Sequence, residues 1–121
     1  EVALGETAAE LEAAGGTIKT YVVDVSDRAQ IEKAAAQVRT DIGDPEIVFN
    51  NAGVVRGNSY FWETDSARDT EFTVKINSLA PMFIAREFLP GMIASGNEAR
   101  LINVASAAGL TANPRMGPVP N

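Results

Sequence analysis

Apolar and polar positions along this chain alternate between two periods, and the switches mark the elements. Leu4, Ala8 and Leu11 fall on one stripe of a segment of strong helix formers from Gly5 to Ala14, which Gly15-Gly16 stops. Ile18 to Val25 is rich in β-branched and aromatic residues and predicts a strand. Ser26 and Asp27 then offer caps to a second helix whose stripe is Ile31, Ala34, Ala35, Val38 and Ile42. Gly43 and Pro45 close it, and Ile47-Val48-Phe49 opens a second strand over 47–51. Residues 54–68 are turn-rich and hold the aromatic run Tyr60-Phe61-Trp62. A long helical pattern follows from Asp69 to Ala94 through Phe72, Ile76, Leu79, Phe83, Ile84 and Phe88. Gly96-Asn97 breaks it, and Leu101 to Ala105 predicts a third strand.

Helix and strand in strict alternation predict an α/β fold, with a parallel sheet covered by helices. About three strands with three helices form one domain over 1–121, near the usual size of a single core. Composition then removes whole classes of chemistry. Sixteen acidic against ten basic residues give a net charge of −6, which disfavours nucleic-acid binding. The absence of cysteine excludes disulfides and thiolate metal sites, and the absence of histidine excludes His-based nucleophilic triads and most zinc sites. No metal site is expected. No apolar stretch reaches the ~18 residues of a membrane span. The chain starts at Glu1 with no visible targeting segment, which leaves cytoplasmic and peripheral-membrane locations both open and suggests a piece of a longer sequence.

Candidate chemistry gathers at the strand ends. Asn50-Asn51-Ala52-Gly53 closes the strand at 47–51, and small amide-bearing residues there suit a ligand crevice, since open α/β sheets bind ligands outside the carboxyl ends of their strands. A strand-to-helix turn would use the same residues. Asp24-Val25 closes the first strand and Ser106 follows the third; Asp24 could equally be a helix-entry residue and Ser106 a cap. Asn77 lies four residues before Pro81, which has no N–H to give the Asn77 carbonyl. The helix is expected to kink there and leave that oxygen able to hold a water.

Asp24-Val25-Ser26, Asn50-Asn51-Ala52-Gly53, Ile76-Asn77 and Ile102-Asn103-Val104-Ala105-Ser106-Ala107-Ala108-Gly109 stand in an order and spacing that resemble the central part of the short-chain dehydrogenase/reductase family. The resemblance implies a partial Rossmann-type doubly wound sheet and hydride transfer between NAD or NADP and an alcohol or carbonyl. Residue by residue, it implies that Asp24 and the Val25 backbone contact adenine and that Asn51, Ala52 and Gly53 line the adenosine-ribose side. It implies that Ser106 and Asn77 are two of the four members of a catalytic Asn-Ser-Tyr-Lys set. The stretch from Asp41 through Gly53, with Phe88-Leu89-Pro90-Gly91-Met92-Ile93, is most similar to the retinoid- and steroid-acting branch, so a small lipophilic alcohol or ketone is the implied substrate. The helix over 69–94 resembles the family's dimerisation helix, which implies a homo-oligomer of the parent enzyme.

The chain departs from the family pattern twice. No Tyr-x-x-x-Lys pair occurs: Tyr21 and Tyr60 are followed four residues on by Val25 and Thr64, and Gly117-Pro118-Val119-Pro120-Asn121 stands where the resemblance expects the approach to the tyrosine. No glycine-rich turn precedes a helix either, because Gly15-Gly16 ends one. These gaps predict an incomplete NAD(P)-binding domain without activity of its own. The alternative is a non-catalytic interaction module that pairs with a full-length paralogue through helix 69–94.

Overall fold

A computed structural model describes residues 2–57 and 59–110. Segment 117–121, where the departure from the family pattern lies, falls outside the described residues.

Helix α1 spans Val2–Ala13 and ends where Gly15 takes a positive φ of 89°, a conformation that glycine alone adopts without strain. Apart from Ala8, its described side chains lie exposed. Helix α2 spans Arg28–Asp41. The Asp27 carboxylate caps it by accepting the Ala29 N–H at 2.9 Å, and Gly43 turns the chain out at φ 100°. Ile31 and Ala35 are buried and Ala34 and Val38 half-buried, as the stripe requires. Ile42 departs from it. It sits at the C-cap, beyond the reach of the helix face, and is exposed.

Strands β1 (Ile47–Asn50) and β2 (Arg100–Asn103) pair in parallel, with Val48 opposite Leu101 and Asn50 opposite Asn103. Side chains of aligned residues share a face of a parallel pair. One face carries Val48, Asn50, Leu101 and Asn103 and turns toward the helices, since Asn50 reaches the Pro81 carbonyl. The opposite face carries Ile47, Phe49 and Ile102, with Phe49 64% exposed.

Among the described residues the sheet therefore has two strands, and the predicted strand over 18–25 is not one of them. The segment shows the right local pattern, with Tyr21, Val23 and Val25 half-buried and Val22 and Asp24 exposed. A strand also needs a ladder, and no described strand lies beside this one. Its ties run instead toward α2. The Tyr21 hydroxyl donates to Asp41 Oδ2 at 2.9 Å, and the Asp24 N–H donates to Gln30 Oε1 at 3.0 Å.

The long helix predicted over 69–94 is helical from Ser66 to Ala94, but not evenly. A π-helical turn at Ser66–Glu71 leads into α3 (Phe72–Val74), a second π turn covers Lys75–Leu79, and α4 runs from Ala80 to Ala94. The second wide turn adjoins Pro81. The Ala80 N–H reaches back five residues to the Lys75 carbonyl, and Pro81 then donates to nothing. The irregularity expected at Asn77–Pro81 thus takes the form of a widened turn. Helix α4 packs on α2 through Arg39, which donates to the Glu87 carbonyl at 2.9 Å. Ile76, Ala80 and Met92 are buried along this helical segment.

Candidate functional site

Both strands end in asparagine, and the parallel register puts these two residues side by side. Asn50 Nδ2 donates to Asn103 Oδ1 at 2.8 Å and, at 3.4 Å, to the Pro81 carbonyl. Its Oδ1 is buried and has no partner. The backbone ladder continues one step further, with the Val104 N–H donating to the Asn50 carbonyl at 2.9 Å. Past that step, residues 51–55 and 104–106 border the site.

Asn77 fixes one wall. Its side-chain amide clasps the Val54 peptide at both ends: Nδ2 donates to the Val54 carbonyl and Oδ1 accepts the Val54 N–H, each at 2.9 Å. An amide side chain that makes a paired contact with a peptide group satisfies two otherwise costly backbone groups at once. This contact occupies one donor and one acceptor of the side chain, and it ties the end of the 51–54 turn to the widened helical turn. Gly53 passes beside Asn77, where a Cβ would stand 3.7 Å from Oδ1 in ordinary contact. Space therefore does not dictate glycine here.

Ser106 forms the opposite wall. It is extended, with φ −115° and ψ 143°, and its Oγ accepts the Ala108 N–H at 3.2 Å, capping the 3₁₀ turn Ala107–Gly109. The cap uses a lone pair of the hydroxyl and leaves its proton for another acceptor.

Asn51, Ala52, Gly53, Asn77 and Ser106 line one cavity of about 560 Å³ at the carboxyl end of the parallel pair, closed on the helix side by Pro81, Met82 and Ala85. Asp24 and Val25 do not line it. They stand at the end of the extended segment, where Asp24 Oδ1 accepts both the Ser26 hydroxyl at 2.7 Å and the Ser26 N–H at 2.9 Å. Those hydrogen bonds, the hydroxyl's first, hold the Asp24 carboxyl below its usual range. Tyr60-Phe61-Trp62 also lies outside the cavity lining.

The residues present suit one side of a nicotinamide dinucleotide: a crevice at strand ends, with amide and hydroxyl groups on its walls. They do not form a pyrophosphate cradle. The first turn of α2 follows Asp27, whose carboxylate already takes the Ala29 N–H and would repel a second anion. No group of three or more acidic side chains suited to a metal occurs among the described residues.

Comparison with known proteins places this geometry. The family model for short chain dehydrogenase matches residues 1–118. The chain belongs to the short-chain dehydrogenase family. It is 42% identical over 106 residues to estradiol 17-beta-dehydrogenase 11 of Pongo abelii, covering 88% of this chain and 34% of that protein. It is 35% identical over 99 residues to epidermal retinol dehydrogenase 2 of Mus musculus, covering 82% of this chain and 31% of the relative. Its fold superimposes on a short chain dehydrogenase/reductase from Burkholderia phymatum, solved in complex with NAD, with a TM-score of 0.87 and 35% identity over 95% of this chain and 40% of that one. The chain thus spans about a third of the length of the curated relatives it matches. These relatives bear out the family resemblance and its 17-beta-hydroxysteroid and retinol branch.

Sequence reasoning did not single out two features of this short-chain dehydrogenase chain. One is the Asn50–Asn103 bridge, whose signal was available: both strands carry two apolar residues followed by asparagine, Val48-Phe49-Asn50 and Leu101-Ile102-Asn103. The other is Val54 as the partner of Asn77, a contact between residues 23 positions apart that no local pattern announces.

Proposed function

We propose that this chain forms the central part of an NAD(P)-dependent oxidoreductase that interconverts a secondary alcohol and a carbonyl on a small lipophilic substrate. The observation that carries the proposal is the common cavity of Asn51, Ala52, Gly53, Asn77 and Ser106. In this reading Asn51, Ala52 and Gly53 line the adenosine-ribose side of the cofactor, with Asp24 and Val25 further along toward adenine. A nicotinamide group bound here would supply or accept the hydride. The Ser106 hydroxyl, its lone pair engaged by Ala108, directs its proton at the reacting oxygen and stabilises charge that develops there. Asn77 acts through its backbone carbonyl, which receives no N–H from Pro81 and can hold a water, while its side chain keeps Val54 and the turn in place.

We further propose that the 121-residue chain does not turn over substrate by itself. It carries no Tyr-x-x-x-Lys pair to serve as proton donor and acceptor, and no glycine-rich turn for the pyrophosphate. The NAD(P)-binding domain over 1–121 is incomplete on this account. The test is turnover of NADH or NADPH with steroid and retinoid carbonyls by the purified chain. Background rates, equal in Ser106→Ala, support the proposal; measurable turnover that Ser106→Ala abolishes contradicts it.

A second reading, pairing with a full-length paralogue through helix 69–94, is favoured by the exposed side chain of Ile93 on α4, which lies outside the cavity lining. Co-purification with such a partner that is lost on Ile93→Glu supports this reading, and failure to co-purify contradicts it.

A further inference from the structure

The loop after Val55 is built in a way that the cavity does not explain. Gly57 and Thr64 close its base: at φ 72°, a Cβ on Gly57 would fall 2.6 Å from Thr64 Cγ2. Behind that closure stands Asp69, 3% exposed, whose Oδ2 accepts the Asp65 N–H at 3.0 Å while Arg68 grips both carboxylate oxygens. Closed ends and a fixed base give the segment 59–64 a defined tip. That tip is aromatic. Tyr60 and Trp62 stack with ring centroids 4.8 Å apart and planes 6° from parallel, and Phe61 and Trp62 are 59% and 75% exposed. Two successive aromatics held outward, with half-buried Tyr60 stacked on Trp62, are costly to leave in water and suit an interface that is apolar below and wet above.

Charge selects the kind of interface. The chain carries a net −6, and the residues beside the tip are Glu63 and Asp65. The nearest cations already lie on partners, Arg56 over the Phe72 ring at 4.8 Å and Arg68 on Asp69. An anionic surface meets repulsion here. A quaternary ammonium, in contrast, is drawn both to aromatic faces and to the adjoining carboxylates.

We propose that the aromatic tip at 60–62 is a docking tip for a lipid surface bearing choline headgroups, with Phe61 and Trp62 entering the interface. Trp62 is the sole tryptophan of the chain, so its emission reports the tip alone. The experiment mixes the purified chain with vesicles of phosphatidylcholine or of phosphatidylglycerol, and reads flotation and Trp62 emission. Expected are flotation and a blue shift with phosphatidylcholine, both weaker with phosphatidylglycerol. Phe61→Ser and Trp62→Ser should each weaken flotation about tenfold. Ile93→Ser, equally exposed but on α4, should leave flotation unchanged, and circular dichroism verifies that each variant is folded. No flotation with phosphatidylcholine overturns the proposal, as does equal or stronger flotation with phosphatidylglycerol. Loss of flotation in Ile93→Ser shows general apolar adsorption and overturns it too. Blue-shifted emission in lipid-free protein that light scattering finds dimeric would assign the tip to a second copy instead.

Discussion

The side-chain amide of Asn77 and the backbone of Val54 hold each other by two hydrogen bonds of 2.9 Å, one in each direction. This pair couples the turn that follows β1 to the wide helical turn before Pro81. Asn77→Asp keeps the shape but removes the donor and sets a carboxylate against the Val54 carbonyl. The expected loss is about 1–3 kcal/mol in chemical denaturation, the cost of one unsatisfied group with added repulsion. Unchanged stability would mean that the clasp holds nothing.

Pro81 makes a prediction of the opposite sign. Pro81→Ala restores an N–H four residues after Asn77 and lets the helix close regularly. The new amide should exchange slowly with solvent, and stability should hold or rise. Fast exchange at position 81 would show that the widened turn has a cause other than the proline.

The Asn50–Asn103 bridge should couple energetically. Asn103→Ala leaves the Asn50 amide with its weaker bond to Pro81, and Asn50→Ala removes the unpartnered Oδ1 together with the bridge. A double-mutant cycle should give an interaction of about 1 kcal/mol. Additive effects would show that the two amides are neighbours without being partners.

Asp69 and Asp24 set the acid limb of stability. Arg68 first, then the Asp65 N–H, hold the Asp69 carboxyl below its usual 3.8, and Ser26 does the same for Asp24. A carboxyl whose pKa is lower in the folded state contributes stability above its unfolded value, and that contribution fades as pH falls through the folded value. Stability should therefore hold down to about pH 4 and decline below it, and Asp69→Asn should flatten the decline. An acid limb that is unchanged in Asp69→Asn would contradict this assignment.

Local chemistry made part of the structure legible beforehand. Helix α2 announced itself through Asp27, its stripe and Gly43, all of which act within a turn or two of their own position. The β-forming residues of 18–25 predicted a strand, and the segment is extended with alternating burial over 21–25, but a strand is a relation between segments, and sequence alone does not supply the neighbour. The wide turn at Ser66–Glu71 escaped because apolar spacing cannot resolve 3.6 from slightly more residues per turn over so few positions, whereas Pro81 announced an irregularity at Lys75–Leu79 without its form. For the candidate site, the gathering of Asn51, Ala52, Gly53 and Ser106 around one cavity followed from where strands end, and Asn77, on the helical segment, was placed there by the family resemblance. The clasp on Val54 did not, because it joins residues across the fold.

The central claim is that this cavity is one side of a nicotinamide cofactor cleft. It is tested most directly by isotope-edited NMR of the chain during titration with NADH. The account predicts weak, saturable shifts concentrated at Asn51, Ala52, Gly53 and Ser106, reduced in Ser106→Ala, with none along α1. Shifts centred on another surface, or none at these four residues, would contradict it.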